Sequence, residues 1–348
     1  MRAAALVVVV AVNLSLGAAA QAATNCSFRR GFRTWTLRAS CTTDETIVIP
    51  VANFEGRGFT ITAHDPSGGH FRGAIVRNGG PELNVAELRL TAEGLNPDAC
   101  DADDDRLNGI LIEDGGGSVT RSVIAGVKQG DSGCQEGNGI IVRNVDGAAF
   151  PFGAPRVEIE GNTVTGYQKT GIVVNGDVTA RVTNNVVDSG GPVDFIARNG
   201  IQIGLGARAT VAHNRVVGNS YSGSFGGAVG AGVLIVGGPP PGDPFTVGTD
   251  IEDNVILGAD VGVFLDNEEE DASSASVPTR VDVRDNVIAH AEVTSGVPYS
   301  AGVLDIGNRD RIVGNLIFGA AYDPDTIPGS TFEIDVRFAI DPTVRRNR

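Results

Sequence analysis

Apolar positions along this chain follow no helical spacing. From Gly109 onward they fall in short runs, each opened by glycine and written apolar-x-apolar. The runs are Ile110-Leu111-Ile112, Ile140-Ile141-Val142, Ile172-Val173-Val174, Ile201-Gln202-Ile203, Val233-Leu234-Ile235 and Val263-Phe264-Leu265, with Gly302-Val303-Leu304-Asp305 a weaker copy. Such alternation predicts strands with one buried face. The openers Gly109, Gly139, Gly171, Gly200, Gly232, Gly262 and Gly302 lie 30, 32, 29, 32, 30 and 40 residues apart. A second marker keeps step with them: a strand that ends in Asn, at Asn162, Asn185, Asn214, Asn254, Asn286 and Asn315, with Ser122 in the equivalent place of the first clear repeat. A third short strand follows, as in Arg215-Val216-Val217. Three strands per repeat and no helix predict an all-β, single-stranded parallel β-helix, because one coil cannot bury its own inward face and a stack of coils can. Asn suits the tight turn on two counts: it tolerates left-handed backbone, and amides stacked on one bend bond along the stack.

The alternating Gly-Ile-x-Ile strands and the Asn column, over roughly residues 44–340, resemble the right-handed parallel β-helix repeat proteins of the pectate-lyase-like superfamily. The resemblance implies a right-handed coil and a cleft on the face of the glycine-opened strands. The loops agree with that placement. Length variation gathers at the two corners beside those strands, before them in Lys128–Asn138, Ser189–Asn199, Asn219–Ala231 and Glu292–Ala301, and after them in Gly147–Pro155, Gly237–Thr249 and Asp266–Pro278. Insertions on one face of a solenoid mark a binding face.

Residues 1–23 read as a secretory signal: Arg2, an apolar run from Ala3 to Leu16, then the small-x-small run Ala20-Gln21-Ala22. Residues 24–43, with Phe28, Phe32, Trp35 and Leu37, fit no repeat and read as an N-terminal cap on an otherwise open sheet edge. Residues 44–348 are the β-helix, irregular in its first coils up to about residue 96. Four cysteines allow three disulfide pairings, of which Cys26–Cys41 and Cys100–Cys134 close the shortest loops. No later stretch is long and apolar enough to span a bilayer.

A net charge of −15 with only two lysines, Lys128 and Lys169, leaves no basic face for nucleic acid. The outward row of the glycine-opened strands reads Leu111, Ile141, Val173, Gln202, Leu234, Phe264 and Leu304, mostly apolar, which predicts that the flanking loops cover much of it. Two residues further on the row reads Glu113, Arg143, Asn175, Gly204, Val236 and Asp266. Acid–base chemistry needs carboxylates or a carboxylate with a charge partner, so Glu113, Arg143 and Asp266 are the candidate catalytic residues. The run Asp266, Glu268, Glu269, Glu270 and Asp271 offers hard oxygen ligands, and Asp266, Glu268, Glu269 and Asp271 are the candidate Ca²⁺ ligands. A second acidic run, Asp98 to Asp105, reads as solvated charge.

The superfamily's catalytic signatures are incomplete here. His64-Asp65-Pro66-Ser67 has the wrong order for an epimerase run, and Asp194-Phe195-Ile196 continues as Ala197-Arg198. Two functions remain: an exported protein that binds or processes extracellular polysaccharide, such as a uronate-type polymer, by lyase- or epimerase-like chemistry; or a non-catalytic secreted surface or matrix protein whose loops bind a cell-surface partner.

Overall fold

The computed structural model describes residues 24–92, 94–96, 100–144, 154–224, 228–238, 244–294 and 299–348. The expected signal segment, the loop 145–153, Asp98 and parts of the other long loops lie outside them. Within them the chain winds through three parallel sheets, of 12, 10 and 10 strands. One coil runs from a long strand such as Asn108–Glu113, to a strand of a middle sheet such as Gly116–Thr120, then round a tight corner to a short strand such as Val123–Ala125. The register is strict. Ile110 lies beside Ile140, Ile140 beside Ile172, Ile172 beside Ile201, and Ile201 beside Val233. Each inward column is therefore made of like side chains, and these residues have no solvent exposure.

The recurring glycine has a packing cause. Gly109 to Gly302 lie where the long-strand wall approaches the short-strand wall. A Cβ on Gly200 would stand 2.3 Å from Val216 Cγ1 and 2.5 Å from the carbonyl oxygen of Gly232. Gly139, Gly171, Gly232, Gly262 and Gly302 meet the facing Val or Ile at 2.3–2.4 Å in the same way. These glycines admit the neighbouring wall rather than a special turn.

The asparagines do line one corner, but they do not carry the bend. The left-handed residue is the one before each: Arg121, Gly161, Asn184, His213, Asp253, Asp285, Gly314 and Arg346, all at positive φ. This corrects one of the two reasons expected for Asn; the other holds. Asn214 Oδ1 accepts from Asn185 N at 2.9 Å and from Asn185 Nδ2 at 3.0 Å. Asn214 Nδ2 donates to Val182 O at 2.9 Å and to Asn254 Oδ1 at 3.0 Å. The pattern repeats from Asn162 to Asn315 and ends on Asn347, a rung the periodicity did not single out. Each inner amide, from Asn185 to Asn315, makes at least four side-chain bonds and satisfies a backbone group that would otherwise be buried alone.

Both local disulfides form, Cys26–Cys41 and Cys100–Cys134. At the N-terminus Phe28–Arg30 runs antiparallel to Thr34–Leu37 and stacks Phe28 on Trp35, with ring centroids 5.4 Å apart. The solenoid begins inside the segment expected to be a cap, since Thr34–Leu37 pairs in parallel with Asn53–Glu55 and Cys41–Thr43 with the strand from Thr60 to Ala63. Among the described residues no helix is long and apolar enough to cross a membrane.

Candidate functional site

Strand alternation turns a defined set of side chains out from the long-strand sheet. In the first outward row Leu111, Val173 and Leu304 are buried, whereas Ile141, Gln202, Leu234 and Phe264 stay partly open. The expected covering of the apolar row is therefore partial.

In the second row, Glu113 and Arg143 are register neighbours. Arg143 Nε donates to Glu113 Oε1 at 2.5 Å, Arg77 Nη2 donates to Glu113 Oε2 at 2.8 Å, and Arg143 also pairs with Asp104. Burial works against the charge on Arg143, but the carboxylates of Glu113 and Asp104 outweigh it and raise its pKa. Glu113 is thus a carboxylate held between two guanidinium groups. Asp104, expected to be solvated loop charge, is part of this cluster.

Asp266 stands apart from them. The register chain from Glu113 through Arg143, Asn175, Gly204 and Val236 puts it five strands away, about 24 Å at the ordinary strand spacing. The three candidate catalytic residues share a face but not a reaction centre. Val236 lies beside Asp266 in the register, and Phe264 precedes it on the same outward face. Among the described residues no hydrogen bond reaches its carboxyl. Burial pushes that group up to about 7, and the nearby Glu268 adds to the effect.

The acidic run does not fold into a cage. Glu269 Oε1 accepts from Ser276 N at 2.9 Å, and Asp271 Oδ1 accepts from Ser273 N at 3.1 Å, so both close their own turn. Asp266, Glu268, Glu269 and Asp271 do not converge on one point. Among the described residues, three potential ligand groups come within reach of one ion only at Cys100, Cys134 and Glu136. There both sulfurs are in a disulfide, and Glu136 accepts from the backbone of Asp101 and Leu107. Asp65 is likewise structural, its two oxygens accepting from Phe71 N and Asn96 N.

A second part of the face was not legible in the repeat pattern. Tyr299 and Phe332 pack at 5.6 Å, with Arg337 over Phe332 at 4.3 Å. They adjoin Phe264, Leu304 and Ile306 in one apolar cluster. Asp335, in register with Leu304, is fully buried beneath them. Burial opposes its charge, but donors from Arg337 and from the Tyr299 hydroxyl hold it below the usual carboxylate range. These residues lie in the irregular last coils, and no periodic signal marks them. The arrangement offers aromatic faces and a guanidinium group, and Asp266, two residues after Phe264 of that cluster, adds the carboxyl pushed up to about 7.

The family described as "Right handed beta helix region" matches residues 108–323. No curated protein matches the chain. Among solved structures, the chain is similar to DFA-IIIase from Arthrobacter chlorophenolicus A6 in complex with GF2, with 13% identity, 89% of this chain and 81% of that chain covered, and a TM-score of 0.41. It is also similar to a mannuronic acid specific polysaccharide family 6 lyase from human gut microbiota, with 12% identity, 83% and 79% covered, and a TM-score of 0.24.

Proposed function

Given that the chain belongs to the right-handed β-helix family, we propose that it is an exported protein that binds and processes an extracellular polysaccharide along the outer face of its long-strand sheet, with Asp266 as the acid–base group. The observation that carries this reading is Asp266 itself. A carboxyl pushed up to about 7, open to the face and set beside Phe264, is matched to proton transfer at neutral pH. An aromatic neighbour suits the apolar faces of a sugar ring. The two disulfides support an oxidising, extracytoplasmic compartment.

The finer reading, a uronate-type polymer, draws support from Arg77, Arg143 and Arg337. They put guanidinium groups on this face of a chain whose net charge is −15. Against it, the overall charge repels polyanions at long range. Polygalacturonate, alginate and neutral glucans, each incubated with wild type and Asp266→Asn, separate the cases. The expected result is new chain ends from one polymer class, lost in the variant. No turnover and no retardation of any polymer in affinity electrophoresis would sink the proposal.

The half-open apolar row of Ile141, Leu234 and Phe264 favours a second reading, a non-catalytic surface protein that docks a partner there. Binding lost in Ile141→Asp and Leu234→Asp but kept in Asp266→Asn would select it.

A further inference from the structure

A cavity lined by loop residues and not by the outward rows lies at the corner where the chain enters the long strands. It measures about 420 Å³ and is lined by Gly133, Gln135, Lys169, Phe195, Ile196, Ala197, Tyr221 and Ala228. That size suits a small ligand. We propose that this cavity binds a monocarboxylate, with the Lys169 ammonium as its counter-charge.

The argument starts from the lysine. Lys169 Nζ donates to Ala197 O at 2.9 Å, which engages one of three donors. Among the described residues no Asp or Glu forms an ion pair with it. Burial alone acts on the ammonium and lowers it to about 8, with no acidic neighbour to hold it up. A half-buried cation bonded to a single carbonyl costs stability that a group of opposite charge would offset.

The walls choose the ligand. They are chiefly apolar, with Lys169 the one charged side chain among the lining residues. A single negative charge on a compact organic body balances that site, whereas a phosphate dianion would leave charge uncompensated.

The walls are also held in place. Gly133 and Gln135 flank Cys134, whose disulfide and whose carbonyl, accepting from Gln168 Nε2 at 3.0 Å, fix that side. Tyr221 N donates to the buried Asp260 Oδ2 at 2.8 Å, and Asn199 N donates to Lys169 O at 3.0 Å. A cavity shaped before the ligand arrives loses little on binding.

Isothermal titration with benzoate and with galacturonate, each against its uncharged counterpart benzyl alcohol or galactose, tests the proposal. The expected result is that at least one acid binds tenfold or more tightly than its counterpart. Lys169→Met should lose that binding at least tenfold, and Lys169→Arg should keep part of it. Preference for benzoate assigns the site to free acids, and preference for galacturonate to sugar acids. Should Lys169→Met not fold, Ala228→Trp decides, since it fills the cavity and leaves the amine in place. Equal binding of acid and neutral compound, inorganic phosphate binding more tightly than either acid, no binding of either acid at about 20 mM, far weaker than ordinary ligand affinities, or full acid binding by Ala228→Trp overturns the proposal.

Discussion

Asp266→Asn is expected to raise stability and to lower activity together, and the gain in stability should depend on pH in one direction only. The folded chain keeps the Asp266 proton up to about 7, whereas the free side chain releases it near 3.8. At low pH both states hold the proton and the group is neutral in the balance. As pH rises through 4 the unfolded chain releases it first, so stability falls, and it goes on falling until the folded carboxyl also ionises. Each pH interval equal to a tenfold change in proton activity is worth 1.36 kcal/mol, so the wild-type penalty is about 1.5 kcal/mol at pH 5 and about 4 kcal/mol at pH 8.5. Asn has the same shape and no charge. The variant should therefore exceed wild type by about 2.5 kcal/mol more at pH 8.5 than at pH 5. Urea unfolding at the two pH values, followed by circular dichroism, measures the difference. A variant less stable than wild type at pH 8.5, or a difference independent of pH, refutes the assignment of Asp266 as a largely desolvated carboxyl with no hydrogen-bond partner among the described residues. Polymer turnover measured on the same samples should fall in the variant, as for a functional group held at the expense of stability.

The remaining predictions test the frame that holds the face. Asn214→Ala leaves Asn185 N without a partner and removes three further bonds from a fully buried corner, a loss of about 3–5 kcal/mol; chemical denaturation should show it, with the exposed Arg215→Ala within about 0.5 kcal/mol of wild type. Gly200→Ala drives a methyl into Val216 and the Gly232 carbonyl and should cost more than about 2 kcal/mol by the same measurement. Replacing Cys100 and Cys134 by Ser opens a 34-residue loop and should cost about 4 kcal/mol in the chain-entropy account, read as a lower melting temperature that no longer responds to reductant acting at this bridge. Because Glu268, Glu269 and Asp271 do not converge, chelator should leave the melting temperature unchanged; a drop restored by Ca²⁺ would show that the acidic loop rearranges around an ion.

The stacking could be read without coordinates because it is periodic. An error of one residue in register would turn every Ile110-like side chain to solvent, so a sequence that alternates in step from Gly109 to Gly302 admits one winding. The asparagine column was equally plain, though its bend falls on the residue before, as at His213 and Asp285. Backbone dihedrals follow from how each corner closes, and residue type alone marks only that a corner exists. Glu113 and Arg143 could be paired from the repeat, since they hold the same position in adjacent coils. Arg77 and Asp104 could not, because one lies in an irregular early coil and the other in a loop of arbitrary length.

What the amino-acid order settled alone was the coil, its inward columns and the face on which its loops gather. Tertiary structure decided the rest: that Asp266 is far from Glu113, that Tyr299, Phe332 and Arg337 close over Asp335, and that Lys169 lines a cavity with no Asp or Glu paired to it among the described residues. The reason is physical. Inward positions repeat under one packing constraint in every coil, so their pattern is local and cumulative. Outward and loop positions answer to neighbours distant in the chain, and their burial, and with it their charge state, exists only once the coils are stacked.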